Sequence, residues 1–123
     1  MLSGTRLLIV EEEFLIALDI QRVLEGANAR QAVFARDFRE VEKLLDRLAE
    51  FDLAIVTAPR EGTSDLAIAE RLVNAGVAIV VCSAARGSIA NTPLSAAEIV
   101  DKPFSDEALL KACCRALARR VMA

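Results

Sequence analysis

The sequence predicts an α/β fold, a parallel five-stranded sheet with helices on both faces. Three observations predict it. Short apolar runs alternate along the chain with longer segments whose apolar residues recur at helical spacing. The runs over residues 52–57 and 77–82 are apolar at consecutive positions, which suits strands buried on both faces rather than strands with one wet side. Acids, hydroxyls and a lysine follow several runs directly, so a parallel sheet would collect them along one edge.

Taken in order, residues 6–10 (RLLIV) read as the first strand, bounded by Ser3-Gly4 and three acids. Residues 14–25 follow as a helix, with Ile16, Ile20, Val23, Leu24 and Ala27 at helical spacing and Gly26 or Asn28 as its left-handed stop. Residues 30–35 make a weaker second strand. Asp37 with Glu40 three positions on resembles a capping box, and Val41, Leu44, Leu45 and Leu48 mark one face of the helix that follows. The third strand, 52–57, ends in Thr57. Thr63 or Ser64 caps a helix that runs to about Asn74, with Leu66, Ala69, Leu72 and Val73 inward and Gly76 as its stop.

The fourth strand, 77–82, is followed by Ser83. Gly87 and Pro93 interrupt the next stretch, so a short helix or a single turn is expected there. Residues 98–100 form a short fifth strand. Ser105 caps the last helix, which carries Asp106 and Glu107 in its first turn and Arg115, Arg119 and Arg120 toward its end, matching the helix dipole.

The totals bound the function. The chain has 123 residues, 54% hydrophobic and 27% charged, which predicts one domain over residues 1–123 with a real core. Net charge is −3 and there is no long basic block, so direct nucleic-acid binding is not expected. Histidine is absent, which removes Ser-His-Asp and Cys-His catalysis and any histidine-containing metal site. Cys82, Cys113 and Cys114 form no C-x-x-C pair and sit in apolar settings, as reduced thiols of a cytoplasmic protein would. No run approaches the length of a membrane span, and no secretory signal is visible.

Strand one ends in Glu11-Glu12-Glu13, strand three in Thr57, strand four in Ser83 and strand five in Asp101-Lys102-Pro103-Phe104. The four blocks LLIVEEE, DLAIV-T, VVCSA and VDKPF resemble, in order and spacing, the motifs of the receiver domain of two-component response regulators. The resemblance runs from about Arg6 to Ala118. It implies the flavodoxin-like (βα)5 fold with strand order 2-1-3-4-5. It also implies signalling partners, namely a histidine kinase, a phosphotransfer protein or an output protein. In that family the strand-one acids hold Mg²⁺, the strand-three aspartate accepts a phosphoryl group, a hydroxyl after strand four binds it and the lysine of the K-P pair neutralises it. By position these become the acidic pocket Glu11 and Glu12, the acceptor position Thr57, the switch hydroxyl Ser83 and the pocket lysine Lys102. The Lys102–Pro103 bond is a candidate cis peptide.

Several positions depart from the family pattern. Thr57 offers a neutral hydroxyl where an anionic nucleophile stands, and there is no histidine to act as its base. Glu12 is one methylene longer than the usual aspartate, and Mg²⁺ tolerates displaced ligands poorly. Glu61 stands where a proline is usual and the proline comes early, at Pro59. Ile99 replaces the aromatic residue that switches. These changes predict a degenerate receiver, not an enzyme, without a cofactor and binding Mg²⁺ only weakly if at all. Its site would be closed by an ion pair from Lys102 to Glu11 or Glu12, and it would act through protein contacts as a monomer or weak homodimer. The competing expectation is a flavodoxin-like domain that binds a nucleotide or other small ligand at the same edge. It lacks both glycine-rich phosphate motifs, and its acids repel phosphate.

Overall fold

The computed structural model describes residues 2–83, 92, 94 and 97–122. Strands β1 (Arg6–Val10), β2 (Gln31–Ala35), β3 (Leu53–Thr57), β4 (Ala78–Ser83) and β5 (Glu98–Asp101) pair in parallel in the order β2-β1-β3-β4-β5. Helices α1 (Phe14–Gly26), α2 (Phe38–Val41), α3 (Asp65–Asn74) and α4 (Asp106–Met122) connect or follow them, and a 3₁₀ helix over Glu42–Glu50 continues α2. This is the flavodoxin-like topology expected from the sequence. The interrupted stretch around Gly87 and Pro93 lies outside the described residues.

The consecutive apolar residues of the central strands divide between the two faces, because successive side chains point to opposite sides. Leu7, Ile9, Leu53, Ile55, Val80 and Cys82 face α1 and α4 and pack there with Ile20, Leu24, Leu109 and Cys113. Leu8, Val10, Ala54, Val56, Ile79 and Val81 face α2, the 3₁₀ helix and α3, packing with Phe38, Val41, Leu48, Ile68 and Leu72. Register aligns the two sets: Ile9 pairs with Ile55 and Ile55 with Val80, so one face reads apolar straight across the sheet.

Local chemistry explains most boundaries. Asn28, at φ 73°, takes the left-handed position after α1, and Gly26 remains inside the helix. Gly76, at φ 81°, ends the α3 segment. The Asp37 side chain accepts the Glu40 N–H at 3.0 Å, and the Glu40 carboxylate reaches back to the Arg36 N–H at 2.6 Å, one residue before the cap. Ser105 Oγ accepts the Ala108 N–H at 3.1 Å and starts α4. The tighter winding after α2 places Leu45 and Leu48 on one line, since side chains three apart eclipse in a 3₁₀ helix.

Of the two cap candidates for α3, Thr63 supplies the bond: its Oγ1 accepts the Asp65 N–H at 3.2 Å, and Ser64 makes no side-chain cap bond. One expectation for α3 needs correction. The buried face is Asp65, Ile68, Ala69 and Leu72, whereas Val73 is 40% exposed. Residues 65, 68, 69 and 72 share one stripe of a 3.6-residue helix, and Val73 lies a further 100° round it.

Candidate functional site at the carboxyl edge of the sheet

Backbone pairing brings the predicted residues to one edge. The Glu11 N–H continues the β1–β2 ladder by donating to Ala35 O at 3.0 Å, and the Lys102 N–H continues β4–β5 by donating to Ser83 O at 3.0 Å. Thr57 is the last residue of β3 and half-buried; Ser83 is the last of β4 and buried. The Lys102–Pro103 peptide bond is cis. Glu11 is buried, and its Oε1 accepts Lys102 Nζ at 2.8 Å. Its Oε2 accepts the Glu13 N–H at 3.2 Å, so both carboxylate oxygens are engaged.

The sequence left Lys102 a choice between two glutamates, and the structure assigns Glu11. Glu12 is exposed and belongs to a separate polar concavity of about 440 Å³ with Glu13, Arg36 and Asp37. The strand end therefore splits its acids between two environments, Glu11 buried and Glu12 and Glu13 exposed. Glu61 is exposed, Pro59 is buried, and Ile99 is half-buried against the α2–α3 face.

One element of the edge was not anticipated. Arg60, three residues beyond Thr57, donates from its backbone N–H and its Nε to Asp65 Oδ2, each at 3.0 Å. Asp65 is only 2% exposed. Burial pushes its carboxyl up, but the Arg60 side chain, the Arg60 N–H, the guanidinium charge and Thr63 together outweigh burial and hold it below the usual carboxylate range. The Arg60 guanidinium is raised by its hydrogen bond to Asp65 and by that charge, and also by Asp37 and Glu12. Thr63 Oγ1 donates to Arg60 O at 2.8 Å and closes the β3–α3 turn on itself. An acid in the first turn of a helix reads in sequence as an exposed dipole partner, and nothing marked Asp65 as buried.

The donor set fits a divalent cation poorly. Mg²⁺ wants several oxygens in near-ideal octahedral geometry. Here both oxygens of Glu11 are engaged, and Glu12 is exposed. Among the described residues no three carboxylates or thiols converge as metal ligands would. Two thiols are held protonated: burial pushes Cys82 and Cys113 up to about 12, far from thiolate formation at neutral pH.

No protein-family model and no curated protein matches the chain. Solved structures do. The response regulator receiver protein of Sinorhizobium medicae superposes with a TM-score of 0.82 at 20% identity, covering 98% of this chain and 99% of that one. A CheY-like receiver domain protein of Methanospirillum hungatei gives 0.79 at 17% identity, with 98% of each chain covered. The chemotaxis response regulator CheY4 of Vibrio cholerae gives 0.75 at 21% identity, covering 94% of this chain and all of that one (100%). The fold is that of a receiver domain. Within the receiver fold, the edge that gathers Glu11, Thr57, Ser83 and Lys102 lies at the carboxyl ends of the strands, where open α/β sheets place their ligands.

Proposed function

We propose that this chain is a receiver-like signalling domain of a two-component system that takes up no phosphoryl group at position 57 and works through protein–protein contact. The observation that carries this reading is the Lys102–Glu11 ion pair, 2.8 Å long, with the Glu11 side chain 3% exposed. A lysine committed to a buried carboxylate is spent on holding the edge together. Thr57 supplies a neutral hydroxyl at the same edge of the sheet, and the chain contains no histidine to deprotonate that hydroxyl. Lys102 supplies, from within the chain, positive charge at Glu11 where a divalent cation would bring it. The partners in this reading are a histidine kinase, a phosphotransfer protein or an output protein, met in the cytoplasm.

The test is incubation of the full chain with Mg²⁺ and a small-molecule phosphodonor, followed by intact-mass measurement before and after acid treatment. No acid-labile phosphate is expected, and a Mg²⁺ titration should show no saturation below millimolar concentration. Stoichiometric acid-labile phosphate, or a sub-millimolar dissociation constant for Mg²⁺, would overturn the reading.

A further inference from the structure

At the amino edge of the sheet, where β4 and β5 begin, a pocket of about 360 Å³ opens between the last turns of α3 and α4. Residues 76–79, Leu94, Ala97 and Ala116 line it, and Val73 borders it. Ile79, Leu94 and Ala116 are buried, whereas Val73 is 40% exposed. The apolar residue that α3 leaves outward is thus the rim of a concavity. Among the described residues its charged side chains are Glu98, Arg119 and Arg120. Small-molecule sites have this make-up: about 300–1,000 Å³, mostly apolar, with a few fixed polar groups.

The charged groups narrow what can occupy it. Ala116, Arg119 and Arg120 share one side of α4, at spacings of three and four residues. Arg119 Nη2 meets Glu98 Oε2 at 2.8 Å, so the one acid of the pocket already has its cation. Among the described residues, Arg120 is engaged through Nη1 alone, which donates to Asp52 Oδ1 at 2.9 Å and to Asp52 O at 3.2 Å. Its Nε and Nη2 remain as a pair of parallel donors, the fork that receives a carboxylate through two bonds. The carbonyl ends of α3 and α4 disfavour an anion elsewhere at this edge. They confine a ligand's charge to the guanidinium and leave its apolar part to the wall. A second copy of the chain fits poorly, since a twofold contact centred here sets Arg119 and Arg120 against their own copies.

From the apolar pocket beside Val73 and Ala116 and the Nε–Nη2 fork of Arg120, we propose that the amino edge of the sheet binds a small aliphatic monocarboxylate. Its tail lies against Val73, Val77 and Ala116, and its carboxylate sits on Arg120. Asp52 is the positioning residue, because it holds the guanidinium by its third nitrogen. A ligand here bridges α3, β4 and α4. The site is at the opposite edge of the sheet from Thr57, so its test and the phosphodonor test fail separately.

The probe is octanoate, below its micellar concentration, with 1-octanol and octylammonium as a neutral and a cationic twin. Each is titrated into the full chain and followed by backbone NMR shifts. Octanoate should saturate and move resonances of residues 73–79 and 116–120. Arg120→Ala should weaken octanoate at least ~10-fold, the low end for bonds to a charged group, and leave 1-octanol unchanged. Val73→Asp sets a like charge at the rim and should weaken octanoate about two- to fivefold, the effect of an exposed charge. Both positions are exposed, so the variants keep the fold. Absence of saturation, shifts centred elsewhere, or octylammonium binding as tightly as octanoate would overturn the proposal. So would an Arg120→Ala variant that loses 1-octanol and octanoate alike, since Arg120 would then only shape the pocket.

Discussion

The two ends of the sheet each carry an ion pair of almost the same length in very different surroundings. At the amino end, Asp52 just before β3 meets Arg120 of α4 at 2.9 Å, with side chains 36% and 35% exposed. At the carboxyl end, Glu11 meets Lys102 at 2.8 Å, with side chains 3% and 25% exposed. Water competes for the first pair and screens it. At the second, one partner is nearly dry, and removing the other leaves a buried charge. Distance alone would rank the pairs equal. Burial separates a latch on the last helix from a group on which the edge of the sheet depends.

The sharpest way to break this comparison is Lys102→Ala. It should cost about 3 kcal/mol in denaturant unfolding, because Glu11 keeps its burial and loses its cation. Pairing it with Glu11→Gln should recover part of that loss. Equal losses from the single and the double variant would show that burial is not the cause. Next comes Asp65→Asn, which removes the anion that receives Arg60 while keeping the side chain's shape. About 1.5–3 kcal/mol is expected, the range for hydrogen bonds to a charged group.

Asp65 also sets an acid limb. Its folded pKa lies below the ordinary value, so its contribution is complete above the unfolded carboxylate pKa of about 3.9 and is lost as pH falls through the lower folded value. Asp52 behaves in the same direction: burial raises it, and the Arg6 N–H and Arg120 overcome that. Stability measured from neutral pH downward should therefore fall below about pH 4, and Asp65→Asn should flatten that fall. An unchanged slope would remove Asp65 from the account. The smallest effect belongs to the exposed pair. Arg120→Ala should cost no more than about 1 kcal/mol, and less in high salt. A loss equal to that of Lys102→Ala would erase the distinction between the two ends.

Much of the molecule was legible in the sequence because it rests on local chemistry. The run 52–57 lacks alternation, so its strand had to be covered on both faces. Asp37 and Ser105 announced their helices through short side chains that accept nearby N–H groups. Asn28 and Gly76 marked the stops. Val73 was misjudged because an apolar residue one position from Leu72 looks equally inward until the helix has a fixed rotation. Asp65 was missed because a carboxylate in a first turn has an ordinary exposed reading.

The sequence by itself determined the alternation of strands and helices, and the gathering of Glu11, Thr57, Ser83 and Lys102 at one edge, since parallel strands must all end on the same side. Only the tertiary structure decided which glutamate Lys102 takes, that Asp65 is buried under Arg60, and that Phe14 and Leu15 face water. Those outcomes depend on how helices rotate over the sheet and on which carboxylate loses its water. A pattern of spacings along the chain carries neither quantity.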